Sequence, residues 1–393
     1  MLRFLTAGES HGKSLTVIIE GLPYGIPLLS EEINQALAER QISYGRGGRM
    51  EIEEDKAEIT SGVRWGKTLG SPLCFSISNK DWVNWQVKMS INKEDEEQSL
   101  WITRPRPGHA DLPGALKYNQ KDVRTILERA SARETAARVV VGAVCKVFLK
   151  EFTILFYSYV KAIGGIWADY SGLSFSEIRS RTEKSDLRCA DNEAEQKMKA
   201  RIDEAKQKGD TVGGVAEIVV TGLPPGLGSH VHWDRKLDGR IAQSLMSIQA
   251  VKGVEVGLGL ASAERFGSQV HDEIFYEQPS GDKGSPWGFF HKSNNAGGIE
   301  GGITNGEPLV VRCAMKPIST LMKPLKSVDL VSKQPVEATV ERSDVCRVPS
   351  LAVIGEAVVA FEIARAFLEK FGGDSLEELH SNYHHYLERL KKI

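Results

Sequence analysis

Histidine and arginine in this chain repeatedly fall beside glycine, and that company decides what chemistry they can do. Gly8-Glu9-Ser10-His11-Gly12 sets a histidine between glycines, so little side chain covers its ring and the imidazole can face a pocket. Imidazole is the side chain most readily poised to exchange a proton near neutral pH. An ordinary loop histidine fits the same five residues equally well, and Ser10 is displaced from the place a GxSxG nucleophile needs. Arg104-Pro105-Arg106-Pro107-Gly108-His109-Ala110-Asp111 is more pointed. Its two prolines stiffen the approach and Gly108 frees the turn, so His109 is presented in a defined direction.

Anion chemistry has its own stretches. Arg40, Arg46 and Arg49 surround Gly45, Gly47 and Gly48. Guanidinium forks onto phosphate or carboxylate oxygens, although a basic surface loop would read the same way. The GxxxxGK[ST] spacing of a P-loop is absent. Arg129-Ala130-Ser131-Ala132-Arg133-Glu134-Thr135 brings two arginines to an expected helix start, which is a ready anion site. Between Asn294 and Gly306 glycine recurs often enough for backbone to pass close to something flat, and Lys316-Pro317-Ile318-Ser319-Thr320 follows the next strand. No GxGxxG opens a helix there, so Rossmann-type dinucleotide binding is not supported. Asp344 lies between Arg342 and Arg347, which would hold it ionised as an ion pair or as a base.

The elements that must position these residues are legible in part. Lys13–Glu20 is apolar and β-branched and predicts a strand, and Ser30 caps a short helix that delivers Arg40. Residues 56–79 suggest a hairpin pair, and the acidic stretch 88–104 a solvated loop. Val139, Val140, Ala143, Val144, Val147 and Phe148 give one broad helix face within 132–151. Ser131 and Glu134 would form its capping box; one continuous helix from Asp122 is the alternative. Strands are expected at 153–161, 215–222, 308–315 and 335–341, and helices at 191–208, 234–247 and 351–370. Residues 281–295 look like an exposed excursion, and 374–392 a terminal helix with Asp374 and Glu377 as a second capping box. No strict βαβ rhythm and no Pro/Ser-rich linker appears, so residues 1–393 read as one large α+β domain with a C-terminal helical extension.

Composition narrows the function classes. The chain has 50 basic and 52 acidic residues, so no global field exists to grip a nucleic acid. An RNA- or polyanion-binding module using the arginine loops is therefore disfavoured. No run of apolar residues is long enough to span a bilayer, and the first residues lack a signal-peptide core. The 5 cysteines contain no CxxC pair, which fits reduced thiols of a cytoplasmic protein and no zinc site. Glycine, at 38 of 393 residues, exceeds the usual level of about 7%, and the excess sits at the motifs just described.

Six motifs together, GESHG, Arg40 with GRGGR, RPGHAD, RASARETA, NNAGGIEGGITNGEP and RSDVCRVP, resemble the chorismate synthase family in order and approximate spacing across residues 8–349. The resemblance implies 1,4-elimination of phosphate from 5-enolpyruvylshikimate 3-phosphate, with reduced FMN required and no net redox change. It implies that His11 and His109 manage protons, and that Asp344 works with the flavin to remove the substrate proton. Arg40, Arg46, Arg49, Arg133 and Arg342 would hold phosphate and carboxylates, with Ser10 and Ser131 beside them. Arg129, Ala130, Ser131, Gln249, Ala250, Gly301, Lys316, Pro317, Ile318, Ser319, Thr320 and Arg342 would contact FMN. Arg40 and Arg46 match positions associated with NADP, making NADPH a candidate reductant and a flavin reductase the rival enzyme reading. The resemblance further implies a homotetramer built from antiparallel sheets packed with a helical layer, a β-α-β sandwich.

Overall fold

Helix α8 (Val348–Phe371) is the most apolar long stretch of the chain and is buried nearly all round. A helix without a polar face must be covered on every side. α4 (Thr135–Lys150) runs along it, and α1 (Ser30–Gln41) and α7 (Leu237–Met246) flank the pair. The computed structural model describes residues 1–44, 54–278, 285–341 and 344–393.

Two antiparallel sheets meet these helices. One has the order β1 (Arg3–Ala7), β2 (Ser14–Glu20), β7 (Leu73–Ser78), β4 (Ala57–Ser61) and packs against α4 and α1. In β2 the inward residues Leu15, Val17 and Ile19 are buried while Ile18 faces out, the period of two that a half-covered strand requires. The other has the order β11 (Val251–Val256), β16 (Leu309–Met315), β10 (Gly214–Thr221), β8 (Leu155–Ile163), β9 (Ile166–Trp167) and packs against α8. Here Ile218 sits opposite Val311, and Val220 opposite Leu309. α5 (Phe175–Thr182) and α6 (Asn192–Gln207) build a second cluster with Tyr159, Val160 and Val219.

Smaller pieces complete the chain. β3 (Tyr24–Pro27), β6 (Lys67–Leu69) and β5 (Val63–Arg64) form a three-stranded sheet; β12 (Ile274–Tyr276) with β13 (Phe289–His291), β14 (Ile299–Glu300) with β15 (Ile303–Thr304), and β17 (Lys326–Val328) with β18 (Pro335–Glu337) form two-stranded ones. α2 (Asp111–Tyr118) and α3 (Arg124–Ala130) carry motif residues, and α9 (Leu376–Leu390) docks Leu379 and Tyr383 into the main core. Among the described residues no helix is long and apolar enough to cross a membrane.

Several boundaries differ from expectation for local reasons. The chain does break at Ser131, in an extended conformation between α3 and a single 3-10 turn. The reciprocal box does not form, however. Ser131 Oγ accepts from the Arg133 N–H, while Glu134 turns to Thr6 and Arg138. At α9 the cap is Ser375 with the Glu378 N–H, one residue beyond the expected Asp374 and Glu377. Ser30 is the first residue of α1 rather than its cap. The expected strand 335–341 ends at Glu337. The 281–295 excursion contains β13, and its residues 281–284 lie outside the described ones.

Candidate active site

β1 and β2 are joined by the Gly8–Gly12 stretch, so a hairpin connection carries Ser10 and His11. Asn79, just past β7, fastens this loop by donating from Nδ2 to Gly12 O at 2.6 Å and Glu9 O at 3.2 Å. α3 meets it from elsewhere in the chain. The Ser10 N–H donates to Glu128 O at 3.1 Å, and Ser131 Oγ donates to Ser10 Oγ at 3.2 Å. The Glu128 carboxylate accepts the His11 N–H at 2.8 Å and lies 2.9 Å from His11 Nδ1. Trp85 stacks on the imidazole, with 3.8 Å between centroids. Burial would raise the Glu128 carboxyl, but the His11 hydrogen bond and charge, the His11 N–H and Arg124 together hold it low. Arg129 donates to Gly8 O at 2.9 Å and Thr6 O at 3.0 Å, which ties the start of the loop to the end of α3.

His109 has a parallel arrangement. Its Nδ1 lies 2.5 Å from Asp111 Oδ1, at the first turn of α2. Arg106 donates from Nε to Asp111 Oδ2 at 2.9 Å and from Nη1 to Thr320 Oγ1 at 2.8 Å. Burial would raise the Asp111 carboxyl, yet the His109 hydrogen bond and the Arg106 guanidinium hold it far below the usual carboxylate range. Gly108 is at φ +77°, and Lys316 Nζ donates to its carbonyl at 2.5 Å.

Residues 249–250 and 316–320 sit between these two groups. Gln249 Nε2 donates to Glu134 Oε2 at 3.4 Å, and Gln249 Oε1 is buried with no partner among the described residues. Ala250 adopts φ +66°, a conformation that costs a non-glycine residue energy, and its carbonyl accepts the Lys316 N–H at 3.0 Å. Thr211 Oγ1 donates to Ile318 O at 2.7 Å, and the adjoining Val212 N–H donates to Val345 O at 2.9 Å. This brings buried Asp344, ion-paired to Arg347, close in the chain to the same region. The links form a circuit. They run from Glu134 through Gln249, Ala250, Lys316 and Gly108 to the chain before His109, where Ile102 O accepts the Val123 N–H at 2.8 Å, and through α3 back to Ser131.

Two arginines expected to hold anions are engaged internally. Arg40, 4% exposed, donates to Thr135 Oγ1 at 3.1 Å and Ala132 O at 3.1 Å and pairs with Asp55 at 3.3 Å. Arg133, 9% exposed, pairs with the other oxygen of Asp55 at 2.5 Å and donates to Asn79 Oδ1 at 2.9 Å. Both therefore brace the site's frame. Arg46, Arg49 and Arg342 lie outside the described residues.

Gly301 is not brought together with the others. Ala250 immediately precedes β11, whereas Gly257, just beyond its far end, donates to Val310 O and Leu258 to Asn295 O. Six strand residues at about 3.3 Å each separate the two ends by about 20 Å. Gly301 instead lines a cavity of about 390 Å³ with Val256, Leu258, Asp272 and Glu300.

Sequence reasoning gave no role to Glu128, Asp111, Arg106, Asn79, Asp55 or Trp85. Glu128 directly precedes Arg129 and Asp111 follows His109 by two, so proximity to a motif was a usable signal for those two. Asp55 and Asn79 had none, because their partners are distant in the chain. Among the described residues no group of three or more His, Cys, Asp or Glu could hold a metal ion.

Known proteins are similar to this chain along nearly its whole length. The family profile described as chorismate synthase matches residues 2–368. The chain is 61% identical over 391 residues to the chorismate synthase of Geobacter sulfurreducens, covering 100% of each. It is 55% identical over 400 residues to that of Aquifex aeolicus, covering 100% of this chain and 99% of the relative. A crystal structure of chorismate synthase superposes with a TM-score of 0.80 at 46% identity, over 100% of this chain and 99% of that one. Matches of this identity and length show that the chain belongs to the chorismate synthase family.

Proposed function

We propose that the circuit joining His11, Ser131, Gln249, Lys316 and His109 is where this chain eliminates phosphate from 5-enolpyruvylshikimate 3-phosphate to give chorismate. The reaction itself follows from family membership: the chain is a phosphate-eliminating lyase of the shikimate route to aromatic amino acids. The observation that carries the placement is the pair of histidines, each with Nδ1 against a buried carboxylate. A carboxylate accepts and does not donate, so the neutral His11 ring keeps its proton on Nδ1 and offers Nε2 for exchange, whereas His109 Nδ1 faces both Asp111 Oδ1 at 2.5 Å and Arg106 Nη2 at 3.0 Å.

The residues present fit a flavin. Gln249 Oε1, buried and without a partner among the described residues, is an acceptor suited to a ring N–H. Arg129, Ala130, Ser131, Gln249, Ala250 and Lys316–Thr320 would hold FMN, and Asp344 would take the substrate proton. When bound, reduced FMN would lend electron density to the substrate's carbon skeleton as phosphate leaves with the C–O bonding pair, and would regain it as the substrate proton is lost, so there is no net redox change. Arg40 and Arg133 grip opposite oxygens of the Asp55 carboxylate, which fixes the frame behind Ser131 and Thr135. NADPH as reductant rests on the family resemblance. Of the two positions matched to NADP, Arg40 is buried against Asp55 and Arg46 lies outside the described residues. We also infer a β-α-β layering, with α4 and α8 between the two large sheets, and a homotetramer in which a second copy brings its Gly301 to this flavin.

His11→Ala and His109→Ala test the placement. Each should fold but melt below the parent, since a buried carboxylate loses a partner, and should lose at least about a hundredfold in turnover with chemically reduced FMN under anaerobic conditions. A rate within about twofold of the parent removes that histidine from the reaction.

A further inference from the structure

Glu128 is given no role by the family motifs, yet the Gly8–Gly12 loop leans on it three times. It lies in the last turn of α3 and is 1% exposed. Its carbonyl oxygen accepts the Ser10 N–H, its Oε2 accepts the His11 N–H, and both carboxylate oxygens lie within 3.0 Å of His11 Nδ1. One turn earlier Arg124 donates to Oε1 at 3.2 Å and reaches Glu341 at 3.4 Å. Trp85 closes one face of the imidazole, at an interplanar angle of 22°. We propose that Glu128 is the positioning residue of His11: its carboxylate fixes the Nδ1–H tautomer and the ring plane, so that Nε2 is the atom that exchanges a proton with the bound ligand. When Nε2 takes a proton the ring becomes imidazolium, Glu128 balances its charge, and the same proton leaves from Nε2. The proposal rests on the reading of His11 as a proton-handling group.

The geometry says why a carboxylate is needed. Oε2 faces the His11 backbone N–H and Oε1 faces the Arg124 guanidinium, both of which can only donate. An amide of the same size would have to turn its NH₂ toward one of them, and a donor facing a donor in a buried site is strongly unfavourable. Glu128→Gln therefore cannot keep both contacts. In Arg124→Met/Glu128→Gln the donor opposite Oε1 is gone. The amide can then turn its NH₂ away from Nδ1, which lies 2.9 Å from Oε1 in the parent, into the space Arg124 leaves, while the amide oxygen accepts the His11 N–H and Nδ1–H.

Long-range ¹H–¹⁵N spectra of protein labelled at histidine nitrogen decide the matter at about pH 9, above the usual imidazole range. The His11 signals are assigned by their loss in His11→Ala. Expected are Nδ1–H for His11 in the parent, loss of that single tautomer in Glu128→Gln, and its return in the double variant. Turnover of Glu128→Gln should fall at least about tenfold with the Michaelis constant changed less than about threefold, and the double variant should recover most of it. An Nε2–H signal in the parent, or Nδ1–H and parental turnover in Glu128→Gln, overturns the proposal. Should Glu128→Gln fail to fold, the parent spectrum and the double variant decide by the same criteria. Full activity in His11→Ala would defeat the reading of His11 itself. An inactive His11→Ala beside an unaffected Glu128→Gln defeats only the role of Glu128.

Discussion

His109 and His11 share a design but differ in what stands behind the carboxylate. Asp111 is held by Arg106, whose guanidinium also reaches Thr320, so the histidine's orientation and the 316–320 segment are set by one arginine. Its carboxyl is depressed in the folded chain. A depressed carboxylate adds stability above its unfolded value of about 3.9, and that stability is lost as pH falls below it. Asp111→Asn removes one partner of a buried pair and should cost about 3–5 kcal/mol at neutral pH. The difference from the parent, followed by urea unfolding, should stay level above about pH 5 and narrow below about pH 4. A difference independent of pH contradicts the ion pair as its source. At this scale the sequence showed the candidate histidines and hid their supports. His11 and His109 announce themselves by glycine and proline neighbours, whereas Asp55 and Asn79 act only through contacts that folding creates.

Between helices the deciding residue is Gly142, in the middle of α4. A Cβ built there would meet Ala357 Cα and Cβ of α8 at 2.3 Å, so the two helices touch backbone to backbone. Alanine is the better helix former by about 1 kcal/mol, which alone predicts that Gly142→Ala stabilises. Overpacking against atoms that cannot rotate away opposes this by about 1–3 kcal/mol, and with the contact falling on backbone the clash should win. The denaturation midpoint of Gly142→Ala should fall while its far-ultraviolet helix signal is kept; a raised midpoint would show that the helices separate freely. The elements themselves were largely legible where burial is one-sided or total. The apolar faces of α4 and α8 and the strand at 14–20 stand out by period alone. β11 did not, because Lys252, Gly253 and Glu255 interrupt it, and its pairing with β16 comes from partners far along the chain. The capping boxes at Ser131 and Asp374 were misread because tertiary contacts of Glu134, and a serine one residue later, satisfied the backbone differently.

Across the whole molecule, charge is nearly balanced, with 50 basic and 52 acidic residues. The mixed α and β character and the antiparallel pairing agree with the reading of the motifs, and so does membership in the family. The separation of Gly301 from Ala250 by the length of β11 was not legible, since motif order says nothing about which end of a strand a loop occupies. The account stands on reduced flavin being required by this chain yet not consumed. The most direct measurement is a single anaerobic experiment with purified protein, excess 5-enolpyruvylshikimate 3-phosphate and a limiting amount of chemically reduced FMN, following chorismate, phosphate and the flavin spectrum together. The account predicts chorismate and phosphate in equal amounts, over many turnovers per flavin, with the flavin still reduced at the end. Flavin oxidised in step with product, or equal turnover with oxidised FMN, would contradict it.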